Sequence, residues 1–431
     1  MPMDDATIIA LSSGAPPAAI GVIRISGPAA GPAITQLSGT LPSPRRATLR
    51  TVRHPVMGEA LDQALLLWFP GPNTATGEDL AEIHVHGGRA VVAAVLDALA
   101  SIKGIRRAEP GEFTRRAFAN GVMDLAQAEG LADLLSAETE SQRRNAQMLA
   151  GGMLSRRVAG WQDRLLGLAA RLEAVLEFGD EENLDDDWGV DADLAALAAD
   201  ITAQLARPSA ERLKDGIRVV LAGPPNAGKS TLLNALVERD AAITSPVPGT
   251  TRDLIEAPVS ISGTPFVFVD TAGLRIAEGD EIEERGIDLA RSAVRHADVL
   301  VWLGDPIEAP EHSRRILVHP RCDLPGREIS ASGTELAVSA QTGVGVAALI
   351  EQLRSVADEL LPHQSDVALN QRQRQILSTC VTSLLAAREQ TDVVLRAEEV
   401  RQARVTLDQL TGRAGTEEML DALFGRFCIG K

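Results

Sequence analysis

The stretch that most limits how this chain can fold is Gly223-Pro224-Pro225-Asn226-Ala227-Gly228-Lys229-Ser230, followed by Thr231. It matches G-x-x-x-x-G-K-S/T, a pattern that needs a buried strand in front and a helix behind. Both are legible. Ile217 to Ala222 is an apolar run of strand length, and Thr231 to Val237 reads as a helix start with Leu232, Leu233 and Leu236 on one face. Glycines let backbone N–H groups turn inward around phosphates, and the helix N-terminus adds positive potential. Lys229 then reaches the β- and γ-phosphates, and the Ser230 hydroxyl can ligate Mg²⁺.

Two further stretches narrow this nucleotide loop to a GTPase-type switch. Asp270-Thr271-Ala272-Gly273 ends the apolar run Phe266 to Val269. Its carboxylate can hold Mg²⁺ through water at a strand end, while the Gly273 N–H meets the γ-phosphate. Between the loops lies Ser245-Pro246-Val247-Pro248-Gly249-Thr250-Thr251, whose Thr251 is a second hydroxyl ligand for the magnesium. Strand-like runs at 299–303, 316–318 and 336–338, alternating with helical sequence, predict a parallel doubly wound sheet over residues 215–362. Guanine-selective switches carry Asn-Lys-x-Asp; here the stretch reads Pro320-Arg321-Cys322-Asp323. Asp323 can accept guanine's N1 and N2 protons, the Arg321 stem can lie on the ring, and Ala340, after Ser339, can offer its N–H to O6. The missing amide removes one hydrogen bond, worth about 0.5–1.5 kcal/mol, so GTP is expected to bind weakly.

At 431 residues the chain has room for two to three domains, and 45% hydrophobic content supports buried cores. No apolar leader or membrane-length run is evident, so a soluble, cytoplasmic protein without membrane contact is expected. Cys322, Cys380 and Cys428 are odd in number and widely spaced, as in a reducing compartment. A net charge of −17 argues against coating nucleic acid by charge alone. Lysine occurs only at 103, 214, 229 and 431, which singles out Lys229 and Lys431.

Residues 1–118 read as an α+β domain, with strands at 7–10, 20–25 and 61–69 and a helix at 90–102. Glu82, His84 and His86 share one strand face, as a metal site or as hydrogen-bonded histidines running into a glycine turn. Residues 119–214 and 363–431 are helical, with stripes at Leu125/Ala128/Leu131/Leu134/Leu135, Trp161/Leu165/Leu168/Leu172/Leu176 and Ile376/Val381/Leu384/Leu385. Helical sequence on both sides predicts that the switch domain is inserted into one helical domain. The acidic run 180–187 reads as a solvated loop, and the pairs Arg143-Arg144 and Arg156-Arg157 as an exposed face or a tRNA-phosphate contact.

Gly21-Val22-Ile23-Arg24-Ile25-Ser26-Gly27, Thr76-Gly77-Glu78-Asp79, Pro110-Gly111-Glu112-Phe113-Thr114-Arg115-Arg116-Ala117-Phe118, the switch motifs and the ending Phe427-Cys428-Ile429-Gly430-Lys431 carry a resemblance. Over essentially its whole length the chain resembles the MnmE (TrmE) family, bacterial tRNA uridine-modification GTPases. The resemblance implies an N-terminal domain that binds tetrahydrofolate and dimerises, a central all-α domain, and a Ras-like α/β GTPase domain inserted in it. It also implies a homodimer that joins an FAD- and NADH-using partner, MnmG, in a heterotetramer. Together they add an aminomethyl or carboxymethylaminomethyl group at C5 of the wobble uridine in certain tRNAs. The one-carbon unit would come from 5,10-methylene-tetrahydrofolate, with 5-formyl-tetrahydrofolate a second folate expected to bind. By motif position Arg24, Glu78 and Lys431 contact the folate, together with Val122, where the family usually has lysine. Cys428 sits beside that site, as a one-carbon or redox group or as an ordinary buried thiol.

Leu274 stands where Ras-like switches place a water-orienting glutamine, and leucine cannot do that. The family pattern points instead to Glu283. Asn226 resembles the residue with which the family holds K⁺, with Ser245, the Val247 carbonyl and Thr250 completing the site; the other reading of Asn226 is a loop-stabilising amide. A monovalent cation there replaces an arginine finger. Two other classes remain open from the sequence: a ribosome-assembly GTPase and an ATP-dependent phosphotransferase.

Overall fold

The computed structural model describes residues 6–178, 189–243, 255–270, 291–327, 336–363, 366–413, 417–425 and 427–430. They divide into two compact units, Met1–Ala132 with Asp408–Lys431, and Asp133–Leu407.

In the first unit the chain runs β1 (Thr7–Leu11), β2 (Ile20–Ser26), α1 (Ala30–Ser38), β3 (Thr48–Arg53), β4 (Ala60–Phe69), β5 (Leu80–His86), α2 (Arg89–Ala100), β6 (Ile105–Arg107) and α3 (Glu112–Ala119), then enters α4 (Leu125–Ser136). The strands form one sheet in the order β3-β4-β5-β2-β1-β6, antiparallel except for the β1–β6 pair. Alternation sends Ile9, Ile23, Ile25, Leu66 and Ile83 to one face, where Ile34 and Leu37 of α1 and Val95 and Leu99 of α2 cover them. On the other face Phe113 of α3 packs on Ile8 and Ala10, while Arg24, Glu82 and His84 are half-buried and Leu49 is 62% exposed. The terminal helix Glu417–Phe424 belongs to this unit: Phe424 and Phe427 pack with Ala128 and Phe118. Beyond it, Ile429 bridges to Pro110 and Ser12 Oγ donates to the Gly430 carbonyl at 2.8 Å. Gly430 has φ +96°, and a Cβ there would stand 2.2 Å from the Leu11 carbonyl oxygen. Only glycine lets the tail lie so close to β1.

The second unit contains α5 (Glu140–Ala150), α6 (Met153–Phe178), α7 (Val190–Leu205) and α8 (Glu211–Asp215). An α/β layer follows: β7 (Ile217–Ala222), α9 (Lys229–Asp240), β8 (Ala241–Ile243), β9 (Ile255–Ile261), β10 (Thr264–Asp270), β11 (Val299–Trp302), β12 (Arg315–Pro320), β13 (Leu336–Val338) and the helix Val346–Leu360. The chain then returns to helix at Gln371–Glu389 and Val393–Thr411. The expected classes hold: an α+β N-terminal part, helices, and a Ras-like α/β layer flanked by helix in sequence.

The sheet order is β13-β12-β11-β7-β10-β9-β8. β13 through β10 are parallel, but β9 is antiparallel to β10 and β8 to β9, so the expectation of an all-parallel sheet is corrected. The cause is local. Only Ser262 (φ 51°) and Gly263 (φ 80°) separate β9 from β10, and a two-residue turn with both φ positive joins antiparallel strands only.

Helix phase also differs in places. Trp161, Leu165, Leu168 and Leu172 of α6 are buried as expected, whereas Leu135, Leu176 and Leu385 are exposed. Helix Gln371–Glu389, a neighbour of α7, buries Leu377, Cys380, Leu384 and Ala387; of the expected stripe Ile376/Val381/Leu384/Leu385, Leu384 is buried, while Ile376 and Val381 are half-buried.

Candidate functional site

The phosphate loop follows β7, the central strand, whose Ile217 and Val219 to Ala222 are buried. Gly223 has φ +151°, and a Cβ there would lie 2.5 Å from the Leu303 carbonyl oxygen. The first glycine of the pattern is therefore fixed by the close approach of the chain after β11. Asn226 takes φ 58° and Gly228 φ 97°, turning the loop before α9 starts at Lys229. Lys229 is 6% exposed, and its ammonium donates to the carbonyls of Gly223 and Pro224 at 3.0 Å each. Those carbonyls hold the cation folded across the loop.

β10 runs parallel to β7 with Asp270 beside Leu221, which brings its carboxylate to the same edge as the loop. Ser230 Oγ donates to Asp270 Oδ2 at 2.6 Å. Two hard oxygen donors at a helix N-terminus fit a small divalent cation such as Mg²⁺.

Beside the loop lies a cavity of about 240 Å³ lined in part by Ala227, Gly228, Thr231, Arg321, Asp323, Ala340 and Gln341. The structure thus brings the phosphate loop, the Asp323 stretch and the Ser339-Ala340 turn together, from residues up to 114 positions apart (341 − 227). Ser339, fully buried, closes that turn: its N–H donates to Val344 O at 2.9 Å and its hydroxyl accepts from Thr342 N at 3.2 Å. Arg321 adopts φ 60° at the mouth of the cavity. Sequence reasoning did not single out Gln341 for the base cavity.

The expected site residues Ser245, Pro246, Val247, Pro248, Gly249, Thr250, Thr251, Thr271, Ala272, Gly273, Glu283 and Lys431 lie outside the described residues.

A second cluster sits on the sheet of the first unit. Arg24 on β2 lies beside Glu82 on β5, with Nη2 3.0 Å from Oε1, and over the Phe113 ring at 6.0 Å. Burial acts to raise the Glu82 carboxyl, but hydrogen bonds from His84 and Arg24 outweigh it and hold the group below its ordinary range. His84 Nε2 is 3.2 Å from Glu82 Oε2, and His86 Nδ1 is 2.8 Å from Asp62 Oδ1. Among the described residues no group of three His, Cys, Asp or Glu side chains could hold a metal ion. Each histidine of this strand face is hydrogen-bonded to a carboxylate, His84 to Glu82 and His86 to Asp62.

Glu78 is held by Arg116 through both oxygens (3.2 and 3.1 Å) and accepts from Ser26 Oγ at 2.7 Å. A carboxylate has about four acceptor positions, so one stays open for an incoming N–H. Val122 stands next to this loop, with Cγ2 3.1 Å from where a Cβ on Gly77 would be, and is 42% exposed. Cys428 is exposed, so the reading of it as a buried thiol is corrected; Cys380 is the buried one, and burial pushes its thiol up to about 12. Reasoning from sequence missed Arg116 and Ser26, although Glu112 and Arg116 at i,i+4 were a visible charge pair.

A family model for the MnmE helical domain matches residues 125–428, and one for the GTP-binding protein TrmE N-terminus matches residues 7–122. The chain belongs to the MnmE family. Among its relatives, the tRNA modification GTPase MnmE of Rhizorhabdus wittichii is 57% identical over 428 residues, covering 99% of this chain and 96% of that one. The protein of the same name from Erythrobacter litoralis is 54% identical over 426 residues (99% and 100% covered), and that from Novosphingobium aromaticivorans 55% over 435 residues (99% and 99%). The two MnmE family models together span both clusters, the nucleotide loop and the Arg24/Glu78 face. No described helix is long and apolar enough to cross a membrane.

Proposed function

We propose that this chain is a cytoplasmic GTP hydrolase of tRNA modification. The observation that carries the reading is the convergence of Lys229, Ser230 and Asp270 on one edge of the parallel strands, next to a cavity lined by Asp323 and Ala340. The Asp323 carboxylate selects guanine by accepting hydrogen bonds from its N1–H and N2–H, and the Ala340 N–H donates to the O6 carbonyl. Lys229 exchanges its two loop carbonyls for the β- and γ-phosphates. Ser230 and Thr251 would hold Mg²⁺; Asn226, Ser245, Thr250 and the Val247 carbonyl would hold K⁺. The bound cations supply positive charge against the charge that develops on the phosphates. Glu283 orients the attacking water.

In the first unit, Arg24, Glu78 and Lys431 hold a tetrahydrofolate, with Val122 against it. Glu78 offers its open acceptor position to a pterin N–H and Arg24 a cation to an anionic tail. The exposed Ile20, on the sheet face opposite α1 and α2, suits a homodimer. With MnmG, an FAD- and NADH-using protein, the dimer would form a heterotetramer that adds an aminomethyl or carboxymethylaminomethyl group at C5 of wobble uridine. Cys428, exposed next to Ile429, which bridges to Pro110, is available to that chemistry.

The test combines the chain with MnmG, GTP, methylene-tetrahydrofolate and a tRNA transcript, and looks for a new nucleoside by mass spectrometry. No product with any one-carbon donor would refute the tRNA role. GTP turnover is expected to require K⁺ over Na⁺ and to lose that dependence in Asn226→Ala; equal rates in the two salts would refute the cation site.

A further inference from the structure

The chain is acidic overall, with a net charge of −17, and five arginines of its first unit pair with carboxylates of that unit. Arg24 pairs with Glu82, Arg106 with Glu112, Arg107 with Asp97, Arg115 with Asp421, and Arg116 with Glu78. One segment breaks that habit. Arg45, Arg46, Arg50 and Arg53 fall within nine residues on and just before β3, and all four are exposed. Among the described residues none of the four pairs with a carboxylate. Their contacts are backbone carbonyls: Arg45 with Asn73, Arg50 with Leu49 at 3.0 Å, Arg53 with Gly58 at 3.1 Å. Asp62, the acid nearest in register, opposite Val52, is turned to His86.

The pairs expected from sequence as phosphate contacts behave differently. Arg143 and Arg144 both bind Glu140 at 2.8 Å, Arg156 binds the Gly151 carbonyl and Arg157 reaches Gln204.

We infer that the Arg46–Arg53 segment is the surface on which the backbone of the tRNA lies. The inference rests on the tRNA reading above and adds to it the place of contact. β3 is an edge strand, so no further strand covers its outer side. Thr48, Arg50 and Val52 point to one face and Leu49 and Thr51 to the other, and Arg53 follows a register shift and pairs with Ala60. Both guanidinium groups on β3 are exposed on this edge strand, and Arg46 extends the line before it. From Arg46 to Arg53 an extended chain reaches at most about 25 Å, enough to follow several phosphates. Four like charges, none bonded to a carboxylate among the described residues, repel one another, and a polyanion relieves that repulsion. Arg45 is left out of the contact, because its guanidinium stacks on the Phe69 ring at 5.7 Å.

The test uses the full chain and a transcript of a tRNA with uridine at the wobble position, titrated at several KCl concentrations. Each phosphate contact contributes about 0.7–0.9 to the slope of log K against log[salt]. Replacing Arg46, Arg50 and Arg53 together by alanine should lower the slope by about two to three units and weaken binding more than tenfold at moderate salt. The triple lysine variant should keep the slope, since charge alone is needed. GTP turnover without tRNA should match wild type in both, which shows that they fold. An unchanged slope in the alanine variant overturns the inference. So does an alanine variant that aggregates while its slope is intact, which would make these arginines guards against edge-to-edge pairing. A change of oligomeric state with an intact slope would assign the segment to a second copy of the chain instead. A wild-type chain that retains no tRNA even at low salt overturns the tRNA reading, and this surface with it.

Discussion

Arg116→Met removes the guanidinium that touches Glu78 and keeps most of the buried stem. Arg116 is 3% exposed at its side chain, Glu78 20% and Glu112 11%. Glu112 survives the change, because Arg106 still grips both its oxygens at 2.6 and 2.8 Å and the Glu109 N–H donates at 2.9 Å. Glu78 retains the Ser26 hydroxyl, and the Ala6 carbonyl loses its bond from Arg116. Removing one partner of a buried ion pair costs roughly 3–5 kcal/mol, because the other charge stays buried and unpaired. Partial exposure of Glu78 puts the loss at the low end, about 3 kcal/mol, or about 6–12 °C in melting temperature for a unit of this size. Differential scanning calorimetry of wild type, Arg116→Met, Glu78→Gln and the double variant measures it. A neutral glutamine has no need of the cation, so the double variant should recover about 1–2 kcal/mol over Arg116→Met. The reasoning fails if Arg116→Met lies within about 1 kcal/mol of wild type, or if the double variant is no more stable than Arg116→Met alone.

Asp323→Asn should weaken GTP about 100-fold, since two hydrogen bonds to a charged acceptor are worth about 3 kcal/mol together; titration with a fluorescent GDP reads this, and xanthosine triphosphate should gain where GTP loses. Gly223→Ala meets the Leu303 carbonyl oxygen at 2.5 Å and a φ of +151°, so at least about 1–3 kcal/mol of strain should cut nucleotide affinity tenfold or more, while alanine at the exposed Pro225 should leave it unchanged. Glu82 and Glu112 both sit below their ordinary value of 4.5: burial opposes the shift, and the bonds from His84 and Arg24, and from Arg106 and the Glu109 N–H, prevail. Their stabilisation is fully present above pH 4.5 and lost as pH falls through the lower folded values. Thermal melts of wild type should therefore hold between pH 5 and 7 and drop below about 4.5, and Glu82→Gln should flatten that drop.

Motifs with a fixed local geometry were the most legible. Ile217 to Ala222 was read as a strand and is one, and Lys229 and Asp270 sit where the loop and strand-end chemistry requires. β3 was missed, because Thr48–Arg53 alternates charge with a single buried residue, Val52, and so carries little strand signal. The helix Gln371–Glu389 was found but only partly phased: Cys380 and Ala387 are among its buried positions, and neither weighs much as an apolar marker. Which leucines of a helix face inward depends on its partner, here α7, and no window of one helix contains that. Arg116 escaped notice for a similar reason. Its two carboxylates come from different segments, and only the fold brings Glu78 to it.

Helix α5 supplies what neither sheet edge nor motif does, a set of bonds to the α/β layer at three separate places. Gln142 Nε2 donates to the Leu213 carbonyl at 2.8 Å, just before β7 begins. Asn145 Oδ1 accepts from Ala368 N at 2.9 Å, where the chain leaves the layer. Ser141 donates through both its N–H and its hydroxyl to the Gly263 carbonyl at 3.1 Å, in the turn between β9 and β10. Three residues of one helix, Ser141, Gln142 and Asn145, thus grip both crossings and the turn; Thr139 caps the helix there, which fixes the backbone that presents them. β10 runs from that turn to Asp270, paired on one side with β7 and on the other with β9. A strand bonded on both sides cannot slide without breaking its ladders, so a displacement at one end is passed to the other. Asp270, in contact with Ser230, ends that strand, and Gly263, in contact with α5, is the turn residue just before it begins.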